Sequence, residues 1–370
     1  MINEERIVAD FLELVQIDSH SGEEAKVVEA LIPKLEEMGL EVMVDNAGEK
    51  VGGQTGNIIA KLKGTTDGEP ILFCSHMDTV KPGQGVRPIV KNGTIYSDGT
   101  TVLGADNKAG IAAILEGIRV IKENNIPHGD IEVAFTIWEE GGLLGAKNLD
   151  YSQINSKYAF ILDSGKSPGE IITKGPAQDM IIAKITGKLA HAGVVPEEGI
   201  SAIMIAARAI DNMKLLRIDE ETTANVGQIK GGGATNIVPA SVEVHAEARS
   251  LDEAKLDAQT AHMTEAFEKA AADFGGSVEM KIERMYPPFK IEDDEEIIVK
   301  LKEAFKNMGI EAYTTSTGGG SDTNIFNGNG IKAVNLGIGA RAVHTFEEYI
   351  HIKDLVDSAK MVSEIIKVFA

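Results

Sequence analysis

The chain has 370 residues with 36 basic and 57 acidic side chains, a formal net charge of −21. Its 43% hydrophobic and 25% charged residues exclude a disordered or fibrous chain, and the length suits two domains with separate cores. A pI near 4.8 argues against a nucleic-acid or anionic-membrane partner, which needs clustered Lys and Arg, while carboxylates remain good ligands for divalent cations.

Along the chain, Ile7, Val8, Phe11, Leu12, Leu14 and Val15 recur at helical spacing. Ser21 and Glu24 read as the capping box of a second helix ending near Gly39, with Pro33 as a kink point. Strand-forming segments follow at 41–45, 57–62 and 70–75, and Asn92-Gly93 reads as a hairpin turn. The single cysteine, Cys74, excludes an intramolecular disulfide and reads as a small buried strand residue. A helix is expected from about Asn107 to Asn124, then a strand at 131–138, a short helix after Gly142 and a strand at 158–162. Strands alternating with helices at this spacing predict an α/β domain, a mostly parallel sheet with helices on both faces.

From about residue 176 the order becomes strand, helix, two strands, helix, strand, the last ending near Met285. This β-α-β-β-α-β order predicts an inserted ferredoxin-like α+β domain over 177–286, with 1–176 and 287–370 forming one discontinuous domain. Pro287-Pro288 marks the exit, and a helix at 353–369 closes the chain. The polar, acidic N-terminus has no basic or apolar leader segment, and no run nears the ~18 apolar residues of a membrane span. The expectation is a soluble cytoplasmic protein.

Functional groups in open α/β sheets gather at the carboxyl ends of strands. Here those ends run into Ser75-His76-Met77-Asp78-Thr79, Glu139-Glu140-Gly141-Gly142 and Asp163-Ser164-Gly165. Asp106 opens a helix in Gly104-Ala105-Asp106-Asn107-Lys108-Ala109-Gly110, and His344 follows a late strand. Taken singly, Asp106 reads as a helix N-terminal acid and Glu139-Glu140 as a solvated turn. Together, two imidazoles and several carboxylates without a placed thiolate suit Zn²⁺, Mn²⁺ or Co²⁺. Two divalent ions would balance Asp106, Glu140, Asp163 and a bridging hydroxide. Asp78 would then orient His76, leaving Glu139 as general base.

With H-M-D-T, G-A-D-N-K-A-G, E-E-G-G, a later Asp and a C-terminal His in this order, the chain resembles the M20 co-catalytic metallopeptidases, in the peptidase T (tripeptide aminopeptidase) branch. The resemblance implies His76, Asp106 and Asp163 around one metal and Asp106, Glu140 and His344 around the other, with Asp106 shared. It implies catalytic roles for Glu139 and Asp78, and an inserted lid and dimerisation domain supplying His191, Asn236 and Arg249. In dimeric relatives that histidine comes from the partner subunit. An imidazole there suits oxyanion stabilisation, and an arginine fork suits a substrate carboxylate. Arg249 alternatively reads as a cross-strand partner of Glu243 or Glu247. Gly320 and Ser321, in the Gly318–Asp322 run, read as a wall offering N–H groups to substrate, or as a plain flexible loop.

The expected function is two-metal hydrolysis of short peptides, removing the N-terminal residue of tripeptides, with the metal-bridging hydroxide as nucleophile and zinc as the metal. An M20-type carboxypeptidase or N-acyl-amino-acid deacylase on the same centre is the alternative within the hydrolases. Outside them stand an aspartic protease, suggested by one Asp163-Ser164-Gly165 copy, and a non-catalytic dimeric binding protein. Nucleotide-binding glycine motifs and H-E-x-x-H are absent.

Overall fold

The computed structural model describes residues 1–370, which divide into two compact units. The first comprises Met1–Thr173, Lys290–Ser316 and Ser321–Ala370; the second comprises Lys174–Phe289 and Thr317–Gly320.

The first unit is built on a mixed sheet with a parallel centre. Strand Ile71–His76 pairs in parallel with Ile131–Thr136 on one side and Tyr158–Ser164 on the other, and Lys332–Gly337 adds in parallel to the latter. Antiparallel strands Glu41–Val44 and Ile58–Leu62 extend one edge, and Glu170–Gly175 extends the other. Side-chain alternation loads both faces with apolar groups, as buried parallel strands require. Leu72, Cys74, Ala159 and Ile161 pack in one cluster with Phe326 and Ile331. On strand positions of opposite parity, the Phe73 and Phe160 rings lie 5.6 Å apart, and Phe160 meets Phe369 of the C-terminal segment at 5.3 Å. Helix Ala105–Glu123 packs against the C-terminal helix Ile352–Val368; a Cβ on Gly117 would lie 2.5 Å from a Val362 methyl. The expected helices on both faces are present, as is the hairpin at Asn92-Gly93, both with positive φ.

Two local expectations are corrected. Ser21 and Glu24 do not form a capping box: the second helix begins at Ala25 with no side-chain cap. The Ser21 hydroxyl instead donates to Asp78 Oδ2 at 2.6 Å, and Glu24 Oε1 accepts the N–H groups of Gly22 and Trp138, each at 2.9 Å. Likewise the strand expected to reach Trp138 stops at Thr136, because Trp138 adopts φ 53° and turns the chain into Glu139.

The second unit is an antiparallel sheet in the spatial order Leu216–Arg217, Thr222–Gly231, Ser241–Ser250, Ala177–Thr186, Ser277–Tyr286. Its sequence order, with helices Ala202–Asp211 and Glu253–Phe274, is the ferredoxin-like β-α-β-β-α-β. One face is apolar: Ile181, Ala183, Val244 and Ala246 pack with Ile205, Leu256, Met263 and Phe267 of the helices. The glycine-rich segment 317–320 belongs to this unit because a Cβ on Gly320 would lie 2.1 Å from Tyr286 Cζ, and Thr317 N–H donates to Lys174 O.

Candidate active site

Three adjacent strands of the first unit end together. His76 closes Ile71–His76, Asp163 lies near the end of Tyr158–Ser164, and the Trp138 turn after Ile131–Thr136 delivers Glu139 and Glu140. Asp106 enters from the start of the 105–123 helix, where it and Asn107 have non-helical dihedrals. His344 sits in a turn at φ 63°.

Asp106 is the hub. Its Oδ1 lies 3.1 Å from His76 Nε2, while its Oδ2 lies 3.3 Å from His344 Nε2. Asp163 Oδ1 stands 3.5 Å from the same His76 nitrogen, and Glu140 Oε1 stands 2.7 Å from His344 Nε2. One donor atom each from His76, Asp106 and Glu140 falls within 4.8 Å of the others. His76 Nδ1 is 2.9 Å from the main-chain oxygen of Asp78 and 3.4 Å from its Oδ1. With the proton on Nδ1, the lone pair of Nε2 points toward Asp106 and Asp163, the tautomer a metal ligand needs.

The electrostatics are those of a cation site. Burial favours neutral His76, but hydrogen bonds to Asp106, Asp163 and Asp78 outweigh it and hold its pKa well above the ordinary value. Hydrogen bonds to Asp106 and Glu140 push His344 up to about 10. Asp163 is pushed up to about 7 by burial, with Asp106 and Asp322 adding repulsion. Glu139 is raised well above the carboxylate range, first by burial, with Asp163, Asp322 and Glu140 adding to it. Crowded carboxylates thus draw protons onto both imidazoles, and the same field favours divalent cations. Nitrogen and carboxylate oxygen donors, with one carboxylate facing two imidazoles through separate oxygens, fit a pair of such ions.

Sequence reading missed several residues that build this geometry. Asp322 Oδ2 accepts from Thr136 Oγ1 at 2.6 Å, and burial lifts its pKa to about 6. Asn335 Oδ1 accepts the Asp163 N–H at 3.1 Å. Lys108, fully buried, donates to Ile17 O at 2.8 Å, and burial lowers its pKa to about 7. Glu348 binds the loop preceding Asp106. Lys108 and Asp322 stood inside glycine-rich runs already singled out; Asn335 and Glu348 had no local signal.

In the second unit, His191 is exposed and pairs in a two-residue ladder with Ile237, and Asn236 O accepts the Ala192 N–H. Arg249 forks onto Glu247, two residues back on the same strand face, with N–O distances of 2.9 and 3.1 Å. Its partner is therefore a same-strand neighbour rather than a cross-strand one. Ser321, in the first unit, caps the helix Asp322–Gly328, its N–H donating to Asn324 Oδ1. That N–H is consumed by the cap.

Residues 72–368 match peptidase family M20/M25/M40, and the chain belongs to that family. Among its relatives, the uncharacterized protein YqjE of Bacillus subtilis is 50% identical, the alignment covering 99% of both chains. Two solved structures are similar throughout. The aminopeptidase PepT from Bacillus cereus is 48% identical with a TM-score of 0.92, covering 100% of this chain and 99% of the other. A tripeptidase from Staphylococcus aureus is 46% identical with a TM-score of 0.96 over the same shares. No helix is long and apolar enough to cross a membrane.

Proposed function

We propose that this M20 enzyme removes the N-terminal residue of short peptides, tripeptides foremost, with two divalent ions. The observation that carries the reading is the two-sided engagement of Asp106 by His76 and His344. His76, Asp163 and one Asp106 oxygen would hold one ion; Glu140, His344 and the other oxygen would hold the second. Zinc suits these donors, as do cobalt and manganese. When bound, such ions supply Lewis acidity toward the scissile carbonyl and an acidified water.

The chain's own residues do the rest. Glu139, nine-tenths buried beside this cluster, takes a proton from the attacking water and delivers it to the leaving amine. Asp78 fixes the His76 tautomer. The ferredoxin-like insert, 177–286, serves as lid and dimerisation domain in a cytoplasmic homodimer. There His191 stabilises the oxyanion, while Asn236 and Arg249 bind the peptide, Arg249 exchanging Glu247 for a substrate carboxylate. Gly320 and Ser321 border the peptide. The names of the Bacillus cereus and Staphylococcus aureus relatives support an aminopeptidase acting on tripeptides.

The test is mass spectrometry of a defined tripeptide incubated with zinc- or cobalt-loaded protein and with an EDTA-treated control. Loss of the N-terminal residue only in the loaded sample is expected. An intact tripeptide in protein that retains two metals would overturn the substrate class and favour the deacylase alternative.

A further inference from the structure

We infer that Glu348 is a positioning residue that clasps the two loops carrying Asp106 and His344 and thereby sets the spacing of the second metal's ligands. This rests on the two-metal reading above. Glu348 is 1% exposed, and its carboxylate accepts three main-chain N–H groups: Leu103 at 2.7 Å and Gly104 at 2.8 Å on Oε2, and Asp106 at 3.0 Å on Oε1. The segment it holds lacks a regular backbone ladder. Gly104 is left-handed at φ 77°, and Asp106 and Asn107 depart from helical dihedrals, so these donors need an outside acceptor.

The other end of the clasp is the main chain of Glu348 itself. It follows His344 by four residues, and its N–H donates to Thr345 O at 3.3 Å. The next residues, Tyr349–His351, are anchored by antiparallel pairing with Thr94–Tyr96. His344 has a half-exposed side chain, and its ring meets the site through Glu140 and Asp106. Its approach to Asp106 therefore depends on how the 344–348 turn is tied to the 103–106 turn. Glu348 makes that tie without its carboxylate occupying any ligand position.

A carboxylate is required because two acceptor oxygens face three donors. In Glu348→Gln one oxygen can still take Leu103 and Gly104, but the amide NH2 then opposes the Asp106 N–H. Glu348→Ala releases all three. The experiment is titration of metal-free protein with Co²⁺, followed by calorimetry and the visible absorption of the bound ion, together with kcat and KM.

Wild type is expected to bind two Co²⁺ ions. In Glu348→Gln one of them binds roughly 10–100-fold more weakly with a changed spectrum, and kcat falls more than KM rises. Glu348→Ala loses more, so the glutamine variant is a partial rescue; if the alanine variant fails to fold, Glu348→Gln alone carries the test. Glu347→Gln, at the exposed neighbour, is expected to titrate as wild type. Two Co²⁺ bound by Glu348→Gln with wild-type affinity and spectrum overturns this inference and leaves the two-metal reading standing. A wild type that takes up fewer than two ions overturns that reading, and the inference with it.

Discussion

The carboxylate of Asp78 accepts the main-chain N–H of Glu139 at 2.9 Å, so the residue that meets His76 Nδ1 also holds the turn bearing Glu139, the proposed general base. Its other oxygen accepts the Glu140 N–H at 3.2 Å and the Ser21 hydroxyl at 2.6 Å. Burial disfavours the charged form, yet hydrogen bonds from His76, Ser21 and Glu139 outweigh it and keep the Asp78 pKa below its ordinary value. One buried carboxylate therefore fixes a histidine and two glutamates at once. Asp78→Ala is expected to lower kcat and metal affinity together, each by roughly 10–100-fold, the usual cost of losing a ligand-orienting group. Ser21→Ala removes one hydrogen bond and should cost far less. Steady-state kinetics with metal analysis checks both, and wild-type metal affinity in Asp78→Ala would refute the clamp.

Glu139→Gln keeps the side chain's shape and removes its ability to take a proton. Glu139 is not among the three residues, His76, Asp106 and Glu140, whose donor atoms converge, and the proposal gives it no metal to hold. Metal content is therefore expected to stay at the wild-type value while kcat falls by roughly 10²–10⁴-fold, the usual range for a general base. Metal analysis beside a tripeptide assay separates the two effects. Unchanged turnover would remove Glu139 from the proton path.

Much of this cluster was legible because most of the proposed ligands sit at strand or helix ends, where hydrophobic patterning gives the position and the polar residue stands out. His76, Glu139, Glu140 and Asp163 are of that kind. Glu348 and Asp322 are not, since their partners, Asp106 and Thr136, lie 242 and 186 residues away, and no local pattern encodes such pairings. Ser21 and Glu24 mislead for a related reason. Their spacing matches a cap, but a buried acceptor, Asp78, and two free N–H groups at Gly22 and Trp138 outcompete the helix end. The ferredoxin-like insert was readable from element order alone, whereas the attachment of 317–320 to it depends on Tyr286 and Lys174, which sequence does not bring near.

Glu24 gives the fold a pH dependence of calculable sign. Burial raises its pKa from 4.5 to about 7, and its Oε2 has no hydrogen-bond partner. A carboxyl with a raised folded-state pKa contributes its full share below the unfolded value, and that share is lost as pH rises through the folded value. The loss falls between pH 4.5 and about 7 and amounts to about 3 kcal/mol at 1.36 kcal/mol per unit. Glu24→Gln cannot ionise, so its drop in unfolding free energy from pH 5 to pH 8 should be smaller than wild type's by about that amount. Urea unfolding of both proteins in EDTA at the two pH values measures it. Equal drops would mean that Glu24 titrates normally.

Gly110 tests whether close backbone approach, rather than side-chain chemistry, holds the ligands in register. A Cβ there would lie 2.5 Å from Leu162 O, 2.5 Å from Ser75 Oγ and 2.6 Å from Asn107 Oδ1. Those three residues immediately precede or follow Asp163, His76 and Asp106. Gly110→Ala must therefore displace the helix from the strand ends, costing about 1–3 kcal/mol as overpacking does. The displacement also spreads three of the proposed ligands, so Co²⁺ affinity should fall with stability. Gly117→Ala provides the contrast: its Cβ would meet Val362 on the C-terminal helix, 2.5 Å from Cγ1, with no ligand-bearing residue among its nearest contacts. It should lose comparable stability and keep wild-type metal affinity. Urea unfolding and Co²⁺ titration of both variants decide the matter. Equal losses of affinity would mean that global loosening, not local register, governs metal binding.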